Sequence, residues 1–145
     1  MVGKEALPRG DLAAFGQLRA ALPDTGSVAT YNASFEPSFR SSDWLKLCIA
    51  SVANQGADCE HIIQDAGSDD GTLDWLLHDQ RVHAFVEKDA GMYDAINRGL
   101  RRATADILAW LNCDEQYLPG TLASVAEFFE THPQVDVLFG DIIFV

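Results

Sequence analysis

The stretch that decides the fold of this 145-residue chain is Asp106-Ile107-Leu108-Ala109-Trp110-Leu111-Asn112-Cys113-Asp114-Glu115. Its five consecutive apolar residues, 107–111, are typical of a strand buried on both faces of a parallel sheet. The oxygen-bearing side chains that follow would lie where the strand leaves the sheet, which is where open α/β sheets bind ligands. Carboxylates suit a hard divalent cation, so the stretch predicts a metal site. An ordinary acidic loop after a strand is the alternative.

Composition limits the partners that the chain can bind. Apolar residues make up 48% and charged residues 22%, as in an ordinary globular protein of one domain. The formal net charge is −12, which disfavours nucleic acid and anionic lipid as partners because both are negatively charged. An anionic ligand would need a metal, a helix N-terminus or a few well-placed cations.

Cysteine content and hydropathy indicate the cellular setting. Cys48, Cys59 and Cys113 are odd in number and form no C-x-x-C, which indicates neither a disulfide framework nor a zinc site. Residues 1–26 lack the apolar core of a signal peptide, and no stretch approaches the roughly 20 apolar residues of a spanning helix. We therefore expect a cytoplasmic protein, with any membrane association peripheral and at the inner face.

Strands and helices alternate along the predicted structure. Residues 1–26 form an N-terminal extension, and the domain occupies 27–145, with 33–42 predicted as a loop. The alternation predicts an α/β fold, in which a mostly parallel sheet carries helices on both faces. Because the chain stops in or just after the fifth strand, we expect a domain truncated at its C-terminus or completed by another chain. The predicted strands are 27–30, 60–64, 82–86, 107–111 and 135–139, and the predicted helices are 42–55, 73–79, 91–103 and 119–132.

Polar residues stand just past four of these strands. In a parallel sheet these positions share one edge, so the pattern predicts a common ligand site. The alternative is that strand ends turn polar simply because they leave the core. The residues are Asn32, Asp65, Glu87 with Asp89, and Asn112 with Asp114.

Several common sites are excluded by their missing motifs. The sequence contains no G-x-x-x-x-G-K-[ST] phosphate loop, no G-x-G-x-x-G after a strand and no G-x-S-x-G nucleophile elbow. The Asp94–Arg98 pair, four residues apart in a predicted helix, indicates at least a surface ion pair.

Five blocks of this sequence resemble the nucleotide-binding half of family-2 glycosyltransferases. Their order and spacing match that family from about residue 27 to residue 145. The blocks are Thr30-Tyr31-Asn32, Ser51-Val52-x-x-Gln55, Glu60-His61-Ile62-Ile63-Gln64-Asp65-Ala66-Gly67-Ser68-Asp69-Asp70-Gly71-Thr72, Glu87-Lys88-Asp89-Ala90-Gly91-Met92-Tyr93-Asp94-Ala95-Ile96-Asn97-Arg98-Gly99, and Ala103-Thr104-Ala105-Asp106-Ile107 to Leu111-Asn112-Cys113-Asp114-Glu115.

The resemblance implies the GT-A fold, a Rossmann-like sheet that binds a nucleotide-diphosphate sugar. It places Thr30, Tyr31, Asn32 and Asp65 against the nucleotide base and ribose, with Asp89 and Asp94 lining the same pocket. Asn112, Cys113 and Asp114 occupy the place of the family's D-x-D motif. Asp114 would therefore hold the Mn²⁺ or Mg²⁺ that bridges the diphosphate, while Asn112 replaces the usual first aspartate.

The implied activity is sugar transfer to an acceptor hydroxyl, inverting and metal-dependent, in polysaccharide or glycoconjugate synthesis. The partners would be a nucleotide-diphosphate sugar and a saccharide or lipid-linked acceptor. We expect the acceptor site and the catalytic base to lie in a part that this chain lacks, and we do not assign Asp141 as the base. The alternatives are a catalytically silent nucleotide-binding or interaction module and a sugar-nucleotide nucleotidyltransferase. The latter is disfavoured by the absence of its basic, Gly-rich N-terminal signature.

Overall fold

The computed structural model describes residues 33–141 and 143. Strands and helices alternate through this part of the chain, as the hydrophobic patterns predict. In chain order the elements are β1 (Ala33–Ser38), α1 (Ser42–Ala53), β2 (Glu60–Asp65), α2 (Thr72–Leu76), β3 (His83–Val86), α3 (Met92–Arg102), β4 (Leu108–Trp110) and α4 (Thr121–Thr131).

The four strands form one parallel sheet in the order β3-β2-β1-β4. Asp65, at the end of β2, is in register with Ser38 of β1 and with Val86 of β3. The carboxyl ends of these strands therefore meet at the same edge of the sheet. The predicted parallel α/β architecture is confirmed.

The first described strand does not lie where the sequence predicts a strand. Residues 33–38 belong to the predicted loop, yet they pair with β2 along their whole length. Pairing on both sides, with β2 and with β4, supplies backbone hydrogen bonds that compensate for the polar composition of this segment. The strand predicted at 27–30 lies outside the described residues.

The fifth predicted strand, 135–139, is absent from the described part of the chain. These residues are ordered without strand pairing, and Val137, Leu138 and Phe139 are exposed. An extended apolar segment becomes a strand only when another strand accepts and donates its backbone hydrogen bonds. None of the described residues supplies that second strand.

The core has two layers, one on each face of β2. Because neighbouring strand residues point to opposite faces, Ile63 packs with Leu45, Ile49 and Leu76 beneath α1 and α2. On the other face Ile62 packs with Ile96, Leu100 and Ala105 beneath α3. Helices therefore cover both faces, as predicted.

β2 is buried along nearly its whole length, whereas the apolar stretch before Asn112 forms an edge strand of the described sheet. β4 spans only three residues and, among the described strands, pairs with β1 alone. Trp110 at its end is 50% exposed. The prediction of burial on both faces is wrong here, because burial depends on how many strands flank a strand as well as on its composition. In the described chain, none of the helices has the length and apolar character needed to span a membrane.

The two core layers predict that substitutions at a buried and at an exposed position differ sharply in their effect on stability. Ile63→Ala should lower the free energy of unfolding by about 2–5 kcal/mol, because it removes fully buried side-chain volume from the α1–α2 layer. Leu47→Ala, on the exposed side of α1, should change it by less than about 0.5 kcal/mol. Urea unfolding followed by circular dichroism measures both values, and similar losses would contradict the packing.

Candidate functional site

The candidate site is the edge of the sheet at which the strands end. Three loops lie there, 66–71 after β2, 87–91 after β3 and 111–116 after β4. The first two are joined directly, because the Glu87 N–H donates to the Asp65 carbonyl oxygen over 2.9 Å. The parallel topology therefore brings to one edge the acidic residues that the sequence places after each strand.

Asp65 is a buried carboxylate that organises its own loop. Its side chain has no solvent exposure. Oδ1 accepts the backbone N–H groups of Gly67 and Ser68 over 2.8 and 2.7 Å, and Oδ2 accepts the Ser68 hydroxyl over 2.7 Å. Both oxygens are thus used within the loop, so Asp65 shapes the 66–71 loop from beneath.

Arg40 connects the loop after β1 to the loop after β2. Its backbone N–H donates to Ser68 Oγ, and its guanidinium pairs with Asp69, with Nη2 2.6 Å from Oδ2. This hydrogen-bonded pair holds the pKa of Asp69 below its usual value. Arg40 also has a backbone φ of +54°, a left-handed conformation that is uncommon for a long side chain. Sequence reasoning missed Arg40, because its partner lies 29 residues away.

Glu87 is held by two arginines of α3. Arg102 donates to Glu87 Oε1, and Arg98 donates to Glu87 Oε2 over 3.1 Å. First Arg102 and then Arg98 keep the pKa of Glu87 below its usual value. Arg102 also donates to Gln64 Oε1 over 2.7 Å and lies over the Phe85 ring, 4.3 Å from its centroid. The sequence showed these charges, but their pairing depends on how α3 packs against β2 and β3.

Asp89 and Asp94 close the loop that precedes α3. Asp89 Oδ1 accepts the Gly91 N–H over 2.9 Å, and Asp94 Oδ2 accepts the Ala90 N–H over 3.1 Å. Asp94 Oδ2 also accepts Arg98 Nη2 over 2.8 Å, so the predicted pair within the helix is formed. The Ala90 N–H, followed by Arg98, holds the pKa of Asp94 below its usual value.

The loop after β4 separates two neighbouring carboxylates. Glu115 turns inward, where Oε2 accepts the Asn112 N–H over 3.1 Å, whereas Asp114 is exposed. The Asn112 carbonyl accepts the Glu115 N–H over 2.9 Å and the Cys48 thiol over 3.4 Å. Cys113 packs against the core layer beneath α1. The chain therefore anchors this loop on both sides of Asp114 and leaves the Asp114 carboxylate facing solvent.

The described residues include no group of three or more His, Cys, Asp or Glu side chains arranged to hold a metal ion. The predicted site residues Asp65, Asp89, Asp94, Asn112, Cys113 and Asp114 all lie in or beside the loops of the carboxyl edge. Thr30, Tyr31 and Asn32 lie outside the described residues.

This parallel sheet, with helices on both faces and an acidic carboxyl edge, defines an α/β fold of the GT-A type. The chain belongs to glycosyl transferase family 2, whose model matches residues 28–143.

Among relatives, it is 38% identical over 106 residues to a PGL/p-HBAD biosynthesis glycosyltransferase of Mycobacterium tuberculosis strain H37Rv, covering 68% of this chain and 41% of the relative. It is 33% identical over 98 residues to the putative teichuronic acid biosynthesis glycosyltransferase TuaG of Bacillus subtilis, covering 63% and 39%. The chain thus spans about two fifths of the length of these curated relatives.

Solved structures share the fold. Residues 1–349 of S. aureus TarS superpose with a TM-score of 0.63 at 20% identity, over 71% of this chain and 33% of that one. The mannosyltransferase PcManGT from Pyrobaculum calidifontis, solved with GDP-Man and Mn²⁺, gives a TM-score of 0.58 at 16% identity, over 79% and 37%.

The hydrogen bonds of Asp65 make it a strong determinant of stability. Asp65→Ala leaves two backbone N–H groups and one hydroxyl without their acceptor, so it should lower the free energy of unfolding by about 2–3 kcal/mol. Asp58→Ala, at an exposed position, is the matched control. Urea unfolding of the ligand-free chain compares them, and equal effects would mean that Asp65 does not organise the loop.

Asp94 should stabilise the fold in a pH-dependent manner. Its pKa is lower when folded than when unfolded, so its contribution is complete above the ordinary aspartate pKa of about 4 and is lost as the pH falls through the lower folded value. The difference in unfolding free energy between wild type and Asp94→Asn should be constant from about pH 5 to 7 and shrink below about pH 4. Denaturant titrations across this range measure it, and a difference that grows in acid would contradict the assignment.

Proposed function

We propose that this chain is the donor-binding part of an inverting, metal-dependent glycosyltransferase. The enzyme would transfer a sugar from a nucleotide-diphosphate donor to an acceptor hydroxyl in polysaccharide or glycoconjugate synthesis. The observation that carries this proposal is the common edge of the family-2 sheet, where the ordered loops after β2, β3 and β4 meet and Asp114 is exposed. The names of the mycobacterial and Bacillus relatives, which refer to PGL/p-HBAD and teichuronic acid biosynthesis glycosyltransferases, support the same class of pathway.

A divalent cation fits the chemistry of this edge. Mg²⁺ and similar ions are commonly bound through one or two carboxylates, together with substrate phosphates and water. Asp114 offers such a carboxylate, and the neighbouring Asn112 offers a neutral oxygen. With a net charge of −12 and no phosphate loop, the chain needs a cation to accept a diphosphate. The bound Mn²⁺ or Mg²⁺ would also neutralise the charge that develops on the leaving nucleotide diphosphate.

The nucleotide would lie against the 66–71 loop that follows β2. Thr30, Tyr31 and Asn32, which precede β1 in the chain, would contact its base and ribose together with Asp65, which also shapes that loop. Support for this placement comes from the rigid loop around Asp65, whose three hydrogen bonds would preorganise a surface for the donor.

The nucleotide-sugar pocket would be lined further by four residues of the later loops. Binding the donor here would bring its diphosphate near Asp114, which would hold the cation. The four residues are Asp89, Asp94, Asn112 and Cys113.

Transfer would proceed by attack of the acceptor hydroxyl oxygen on the anomeric carbon, opposite the departing nucleotide diphosphate. The attack forms a new glycosidic bond, breaks the bond to the diphosphate and inverts the anomeric centre. A base must take the proton of the acceptor hydroxyl. We assign that role to none of the described carboxylates, including the exposed Asp141.

The partners of this reaction would be a nucleotide-diphosphate sugar and a saccharide or lipid-linked acceptor. A cytoplasmic setting, with peripheral membrane contact for a lipid-linked acceptor, suits a chain whose three cysteines form no disulfide. The alternative function is a nucleotide-binding module without transfer activity. This alternative needs only the donor-binding edge and no catalytic base.

The metal assignment predicts a selective loss of nucleotide affinity. Asp114→Ala should weaken binding of UDP, GDP or dTDP in Mn²⁺ by at least about tenfold, since even indirect support of a metal ligand has effects of this size. Isothermal titration calorimetry on the 145-residue chain, with and without Mn²⁺, measures the affinity of whichever nucleotide the wild type binds.

The matched control is Asp106→Ala, which removes an equal charge from the exposed residue before β4, at the opposite end of the strand. This variant should bind nucleotide as the wild type does. If Asp114→Ala and Asp106→Ala behave alike, Asp114 does not hold the metal. Release of nucleotide from a donor sugar in the presence of an acceptor then separates an enzyme from a silent module.

A further inference from the structure

The 87–91 loop is held at both ends by one guanidinium. On the strand side, Arg98 Nη1 donates to Glu87 Oε2 over 3.1 Å and to the Lys88 carbonyl oxygen over 3.3 Å. On the helix side, Arg98 Nη2 donates to Asp94 Oδ2 over 2.8 Å. Asp94 Oδ2 in turn accepts the Ala90 N–H. The planar fork of arginine can make these contacts together, whereas the single ammonium of lysine cannot reproduce them.

The contacts of Arg98 with Glu87, Lys88 and Asp94 form a clamp on the 87–91 loop, and Glu87 connects this clamp to the sheet. Its second oxygen accepts Arg102, which also contacts Gln64 of β2, and its N–H donates to the Asp65 carbonyl oxygen. Each carboxylate oxygen of Glu87 therefore accepts an arginine N–H. Glu87 serves as an anchor for the loop.

Asp89 has a different environment in the same loop. Its Oδ1 accepts the Gly91 N–H over 2.9 Å. Among the residues that the structure describes, no arginine or lysine forms an ion pair with Asp89. Within two residues of sequence, the loop thus carries one carboxylate that is neutralised by two cations and one that keeps its charge unpaired.

We propose that Arg98 is a positioning residue that fixes the 87–91 loop so that Asp89 accepts a hydroxyl group of the bound nucleotide. The inference rests on the proposed function, because it requires a nucleotide at this edge. Arg98 acts through the loop and does not contact the donor, since its guanidinium is already shared among Glu87, Asp94 and the Lys88 carbonyl oxygen. Asp89 supplies the accepting oxygen.

The test is a double-mutant cycle on nucleotide affinity. The variants are Arg98→Lys, Asp89→Ala and the combination of the two, with Arg101→Lys as the control at an exposed position of the same helix. Calorimetry in Mn²⁺ measures the dissociation constant of UDP, GDP or dTDP, whichever the wild type binds. Arg98→Lys should weaken binding about tenfold, as expected for coupled residues, and Arg101→Lys should leave it unchanged.

The cycle separates positioning from general destabilisation. If Arg98 acts through Asp89, the double variant binds no more weakly than Asp89→Ala alone. If the two losses multiply, or if Arg98→Lys binds as the wild type does, the inference is overturned. In the ligand-free chain, Arg98→Lys should also accelerate hydrogen exchange at the Gly91 amide relative to Arg101→Lys, and equal exchange would overturn the clamp. A wild-type chain that binds none of the three nucleotides overturns the proposed function, and this inference with it.

Discussion

Parallel pairing along β2 is the constraint on which the rest of the structure depends. β2 has β1 on one side and β3 on the other, and its two faces carry separate apolar layers. Because parallel strands all point the same way, each strand delivers its next loop to the same edge. The acidic residues that follow the strands are spread over about fifty positions of sequence, and only this pairing brings them to one edge.

The carboxylates at that edge differ in the hydrogen-bond donors and cations that surround them. Asp65 is surrounded by donors of its own loop, and Glu87 is paired with two arginines. Asp114 stays exposed. Gathering many negative charges at one edge is unfavourable unless most of them are paired or hydrogen-bonded. The few that keep a free oxygen are then the ones that can meet a cation or a hydroxyl group, which is why the pattern of pairing is informative about function.

The family assignment and the structure explain different parts of the chain. The family match covers residues 28–143 and agrees with the sheet, the helices on both faces and the acidic edge. The long-range contacts of Arg40, Arg98 and Arg102 emerged from the structure. Their guanidiniums join segments that are 29, 11 and 38 residues apart, which are Arg40 with Asp69, Arg98 with Glu87, and Arg102 with Gln64.

The sequence by itself determined the alternation of strand and helix, the parallel architecture and the family, because these depend on local hydrophobic periods and on short motifs. The helical face predicted over 91–103 matches α3 (Met92–Arg102), whose buried residues include Ala95, Ile96 and Leu100. Only tertiary structure decided three further features. These are how far β4 is buried, where the first described strand lies, and that residues 135–139 pair with no described strand. The physical reason is that burial and strand pairing depend on which distant segments lie alongside, and a local apolar pattern carries no information about them. The same reason separates Asp65 from Asp114, since two aspartates that both follow a strand differ only in the donors that the fold places around them.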